Sequence, residues 1–141
     1  MNSDLTKFVC IEYSRITMKT YHILVVDDNE THLRLISKML TMEGYHVLTS
    51  QNTIEAIEAV VSKQPDLIIL DVRMPGMNGY DFCKILRKPP YEVQVPIVML
   101  TAVRGEAERV LAKEAGANGV WSKPFDIDIV AADIAKFLQS T

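Results

Sequence analysis

"LIILDVRMPGMNGYDF" (Leu67–Phe82) is the stretch on which the fold turns. Its first four residues, Leu67–Leu70, are all apolar and show no alternation. A short continuous run of this kind reads as a strand buried on both faces, the habit of parallel sheets covered by helices. The run ends in Asp71, and a loop rich in Met, Pro and Gly follows. A carboxylate at the mouth of a buried strand is costly unless it is paired or bound to a cation. Asp71 alone could be an ordinary turn residue, so the rest of the chain has to decide.

Working outward, short apolar runs alternate with helical patterns. "HILVV" (His22–Val26) precedes a helix from about Glu30 to Glu43, with Leu35, Ile36, Met39 and Leu40 on one face and Gly44 as its stop. "YHVLT" (Tyr45–Thr49) is a second strand, followed by a helix capped by Asn52, with Glu55 at the capping-box position and Ile54, Ile57 and Val61 as its stripe. After Leu67–Leu70 comes a short helix, Asn78–Arg87, expected to bury Phe82, Ile85 and Leu86. "RKPPYEVQVP" (Arg87–Pro96) cannot continue that helix and is a loop. "PIVML" (Pro96–Leu100) is a fourth strand, followed by a helix from about Gly105 to Ala115 that stops at Gly116. "GVWS" (Gly119–Ser122) is a fifth strand, and Asp126 caps a last helix with Ile127, Val130, Ile134 and Phe137 at helical spacing.

Five strands alternating with five helices specify an α/β fold, a doubly wound five-stranded parallel sheet, because parallel strands need long crossover connections. Bulk properties agree. The 141 residues suit one domain, 48% hydrophobic content supports a core, and a net charge of −3 with mixed signs offers no basic stripe for nucleic acid. Cys10 and Cys83 lack metal-ligand spacing and read as free thiols of a cytoplasmic protein. No apolar stretch approaches a membrane span, and "MNSDLTKFVCIEYSRIT" has no signal-peptide pattern.

In sheets of this class ligands bind beyond the carboxyl ends of the strands. Strand one ends at Asp27 and Asp28, strand three at Asp71 and strand four at Thr101, while Lys123 follows strand five. With strand order 2-1-3-4-5 the three carboxylates share one edge. At about 5 Å and an effective dielectric near 20, each pair repels by roughly 3 kcal/mol. A hard divalent cation removes that cost, and carboxylates with a backbone carbonyl suit Mg²⁺. Asp71 is then the nucleophile candidate, with Lys123 and the Thr101 hydroxyl placed to hold a transferred phosphoryl. His22, His32 and His46 show no metal-like clustering, and none is expected to be a ligand; His32 faces the site only if the first helix starts at Glu30.

The motifs "ILVVDDNE", "PDLIILDVRMPGMNGYDF", "PIVMLTA" and "GANGVWSKPFD" resemble, in order and spacing, the receiver domain of bacterial two-component response regulators. The resemblance spans Tyr21 to Gln139. It implies flavodoxin-like topology with strand order 2-1-3-4-5, and a phosphoryl group moving from a histidine kinase or phosphotransfer protein to Asp71. It implies Mg²⁺ held by Asp28, Asp71 and the Arg73 backbone carbonyl, with help from Asp27. Thr101 and Lys123 match the residues that read the phosphoryl, Lys123–Pro124 matches a peptide bond that is usually cis, and small Ala102 keeps the site open. Arg73 and Val103 match positions that tune dephosphorylation. Output is expected from the fourth helix, fifth strand and fifth helix, through a homodimer or a downstream protein, without nucleic-acid or membrane contact by this chain. Such a chain modifies itself but turns over no external substrate, so it is not expected to be an enzyme. Residues 1–18 are expected to be an extension of unassigned structure, and residues 19–141 the receiver.

One departure stands out. The family's usual aromatic three residues before the lysine is Val120 here, and the ring is Trp121. A shift of one residue along a strand points a side chain to the other face, so Trp121 cannot replace the missing ring. Thr101, Val120 and Trp121 are therefore the switch and output candidates, with packing the plainer expectation for Trp121. Three other readings compete. A haloacid-dehalogenase-like phosphatase needs an Asp where Arg73 stands, and a flavodoxin needs a phosphate loop where "DDNETH" is acidic. A phosphorylation-independent receiver-like interaction module would commonly have lost an acidic residue or the lysine, and all five are present.

Overall fold

The computed structural model describes residues 20–124 and 126–139; the expected extension of residues 1–18, with Cys10 and "KFVCIEY", lies outside the described residues. The elements are β1 (His22–Val26), α1 (Glu30–Met42), β2 (His46–Ser50), α2 (Thr53–Lys63), β3 (Leu67–Asp71), β4 (Arg73–Met74), β5 (Met77–Asn78), α3 (Gly79–Arg87), β6 (Ile97–Thr101), α4 (Glu106–Ala115), β7 (Gly119–Ser122) and α5 (Ile127–Gln139). Five strands form one parallel sheet in the order β2-β1-β3-β6-β7. Counted along the chain, this is the 2-1-3-4-5 order expected.

The expected loop after Asp71 contains the other two strands, a two-residue antiparallel hairpin pairing Arg73 with Asn78 and Met74 with Met77. Its turn is Pro75-Gly76, with Gly76 at φ +80, the geometry for which Pro then Gly is suited.

Alternation along the strands splits the core. Leu24, Val26, Ile68, Leu70, Ile97 and Met99 pack against α2, α3 and α4. Ile23, Val25, Leu67, Ile69, Val98 and Leu100 pack against α1 and α5. All five residues of β3 are buried, so an aliphatic side chain there contributes about 1.5–3 kcal/mol of burial. Side-chain caps start four of the five helices: Asn29 accepts from the His32 N–H, Asn52 from Glu55, Asn78 from Tyr80, and Asp126 from Asp128.

Several helix faces differ from expectation. In α1 the buried residues are Leu33, Ile36 and Leu40, spaced at i, i+3 and i+7, and this rotates Leu35 into solvent. In α2 the small Ala56 meets the core, with Ile57, Ala59 and Val60 half-buried around it, so Ile54 and Val61 point outward. In α3 Cys83 takes the buried place expected of Ile85, because it shares the face of Phe82 and Leu86. "RKPPYEVQVP" is a pinned loop: the Arg87 guanidinium donates to the Val93 and Val95 carbonyls, each at 2.8 Å, to Gly116 at 2.9 Å and to the Asn118 side chain at 2.8 Å.

Candidate functional site

Register places the acidic residues level with one another. Val26 pairs with Leu70, so Asp27 and Asp71 follow side by side, and Asp71 pairs with Leu100, one residue before Thr101. One carboxylate oxygen from each of Asp27, Asp28 and Asp71 lies within 4.8 Å of the others. Asp27 is fully buried and Asp71 is 5% exposed, whereas Asp28 faces solvent.

Their partners are few. Asp27 Oδ1 accepts the Asn29 N–H at 2.9 Å, and its Oδ2 lies 3.3 Å from His32 Nδ1 and 3.7 Å from Lys123 Nζ. Asp71 Oδ1 accepts from Lys123 Nζ at 3.2 Å and from the Arg73 N–H at 3.4 Å. One ammonium thus serves two buried carboxylates. Burial, and then the neighbouring Asp27, push the Asp71 carboxyl above the usual aspartate range, and Lys123 offsets only part of this. The donor set of hard carboxylate oxygens with excess negative charge fits a hard divalent cation such as Mg²⁺. Arg73 lines the same open cleft as Asp28.

Thr101 is 4% exposed, and its Oγ1 accepts the Val103 N–H at 3.1 Å. Lys123 is fixed relative to it by its own N–H, which donates to the Thr101 carbonyl at 2.8 Å. The Lys123–Pro124 peptide bond is cis.

One contributor was not singled out from the sequence, and a second was tied to a condition that the structure meets. Gly79 lies so close to β3 that a Cβ would sit 2.3 Å from the Asp71 carbonyl oxygen. Its N–H donates to the Val72 carbonyl at 2.8 Å. The Asn78-Gly79 pair was legible as a helix start, but nothing in the string shows which backbone Gly79 approaches. His32 is the other: α1 starts at Glu30, which brings His32 to Asp27. Val120 and Trp121 face opposite sides, as the strand argument requires. Val120 packs toward the α3–α4 side, and Trp121 is buried on the α5 side with its indole N–H donating to Asp133 Oδ2 at 2.8 Å.

A family model described as the response regulator receiver domain matches residues 23–135. The chain belongs to the response regulator receiver domain family. It is a receiver domain of two-component systems, similar over 117 residues at 39% identity to the alkaline phosphatase synthesis transcriptional regulatory protein PhoP of Bacillus subtilis, covering 83% of this chain and 48% of PhoP. The response regulator PleD of Caulobacter vibrioides is 40% identical over 104 residues, 74% of this chain and 23% of PleD. The receiver chain therefore spans half or less of these relatives. Among solved structures, a response regulator from Chloroflexus aurantiacus superposes with a TM-score of 0.80 at 33% identity, covering 86% of this receiver and 99% of that chain. Among the described residues, no helix is long and apolar enough to cross a membrane.

Proposed function

We propose that this receiver is a phosphorylation-activated switch in which Asp71 accepts a phosphoryl group from a histidine kinase phosphohistidine. The observation that carries the reading is the clustering of Asp27, Asp28 and Asp71 within 4.8 Å, with Lys123 Nζ between the two buried members. When bound, Mg²⁺ supplies the positive charge that lets these carboxylates and an incoming phosphoryl share the site.

The chain's residues do the rest. The Asp71 carboxylate attacks phosphorus; a new O–P bond forms, the P–N bond breaks, and its electron pair stays on the departing imidazole. Lys123 and the Arg73 N–H fix the Asp71 Oδ1 orientation, so the other oxygen is the one that reacts. After transfer Lys123 holds one phosphoryl oxygen and the Thr101 hydroxyl turns from the Val103 N–H to donate to another. The added charge shifts an equilibrium between two arrangements that already exist. Thr101, Val120 and Trp121 are the switch and output positions, and α4, β7 and α5 carry the signal to a second copy or a downstream protein. Exposed Val110 and Leu111 on α4 and Ile129 on α5 support that surface. Residues 19–141 form the receiver, acting on no substrate other than itself.

The test is intact-mass spectrometry after incubation with acetyl phosphate, with and without Mg²⁺, on wild type and Asp71→Asn. One phosphoryl adduct that needs Mg²⁺ and is absent from the variant supports the reading. Equal labelling of the variant removes Asp71 from its role.

A further inference from the structure

Position 120 has no ring, yet the site still has a buried phenol beside it. Tyr80 is 5% exposed and sits immediately after Gly79, whose close packing on the Asp71 backbone seats the start of α3 directly on β3. The Tyr80 hydroxyl donates to the Glu108 carboxylate in the first turn of α4 and lies 3.5 Å from the Glu108 carbonyl oxygen. Burial and the Glu108 carboxylate both push the phenol pKa up, so it stays a donor.

The helix that it reaches starts without a side-chain cap. Gly105, at the cap of α4, offers no side-chain hydrogen bond and stands at φ +138. Tyr80, Thr101, Val103 and Glu108 line one cleft of about 290 Å³. Thr101 Oγ1 is engaged by the Val103 N–H, so a Thr101 hydroxyl that turns toward Asp71 gives up that contact and loosens the segment leading into α4.

We infer that the Tyr80–Glu108 contact is a tether that holds the first turn of α4 in its resting place and sets how readily phosphorylation at Asp71 moves that helix. The inference rests on the phosphoacceptor reading above. Tyr80 is thus a positioning residue, acting through α4 rather than on the phosphoryl. Removing the hydroxyl lowers the cost of leaving the resting arrangement, and a ligand selecting the moved arrangement then binds more tightly.

The test uses the whole chain and beryllofluoride, a mimic of the phosphoryl on an aspartate, titrated in saturating Mg²⁺ and followed by the amide resonances of Glu106–Ala115. Tyr80→Phe is expected to lower the apparent Kd by about five-fold, the equivalent of one net hydrogen bond. The ligand-free α4 resonances should shift toward their bound positions, and the Kd for Mg²⁺ alone should not change. Glu108→Ala should do the same, Glu108→Gln, which still accepts, should stay near wild type, and the double variant should gain no more than either single change. An unchanged Kd and unchanged α4 resonances in Tyr80→Phe overturn the tether, as do additive effects in the double variant. A wild type that binds Mg²⁺ but not beryllofluoride overturns the phosphoacceptor reading, and the tether with it.

Discussion

Gly79→Ala puts a methyl 2.3 Å from the Asp71 carbonyl oxygen, 2.9 Å from Val72 Cα and 3.1 Å from the Asp71 carbonyl carbon. All three are backbone atoms, so no rotamer change relieves the clash. Bringing the first contact out to 3.0 Å requires the two backbones to part by about 0.7 Å. Alanine gains at most about 1 kcal/mol of helix propensity, and less in a first turn. Against that stand an overpacking cost of about 1–3 kcal/mol and a stretched Gly79–Val72 hydrogen bond worth about 1 kcal/mol. The net loss is about 2 kcal/mol, which for a domain of this size lowers Tm by about 8 °C. Phosphoryl uptake should slow by about ten-fold or more, since displacements approaching 1 Å at a reacting group cost up to about a hundred-fold. Thermal unfolding by circular dichroism, with labelling by acetyl phosphate well below Tm, measures both. A Tm within about 2 °C of wild type together with an unchanged labelling rate would refute the close-approach argument.

Asp71→Asn should stabilise the Mg²⁺-free protein at pH 7. Because the folded carboxyl pKa is raised, ionisation costs more in the folded chain than in the unfolded one. Stability is therefore lost as pH rises from 3.8 through the raised folded value, and Asn removes that loss. The Tm gap between variant and wild type should close below pH 3.8, and a gap independent of pH contradicts the assignment. Lys123→Met deletes a cation 3.2 Å from Asp71 and 3.7 Å from Asp27, so calorimetry should find Mg²⁺ bound about five-fold tighter, from about 1 kcal/mol of relieved repulsion. Arg87→Met takes the guanidinium donor from three carbonyls and leaves Asn118 Oδ1 only the Ile97 N–H, and should cost about 3 kcal/mol in denaturant unfolding while labelling of the folded protein proceeds at the wild-type rate.

Sequence legibility followed the physics of each signal. The strands were readable because β3 and β6 are buried on both faces, which forces unbroken runs such as Leu67–Leu70 and Ile97–Leu100. Ordering those strands then brought Asp27, Asp28 and Asp71 to one edge. Helix faces were harder, because α1 and α2 carry more apolar residues than one face can bury. Leu35, Ile54 and Val61 look like core in the string and lie in solvent. Ala56 meets the core because a small side chain lets α2 sit close, a choice invisible to periodicity. Arg87 and Tyr80 act on partners far away in sequence, at Gly116 and Glu108, and Gly79 meets Asp71 only because the short hairpin between them folds back; local pattern carries no record of such pairs.

The most direct test of the central claim traps the modified residue itself. After labelling with acetyl phosphate and Mg²⁺, borohydride reduces an aspartyl phosphate to homoserine, and peptide mass spectrometry reads the position. Homoserine at residue 71, lost when Mg²⁺ is withheld, is the predicted result. Homoserine at Asp27 or Asp28 with residue 71 intact would contradict the account.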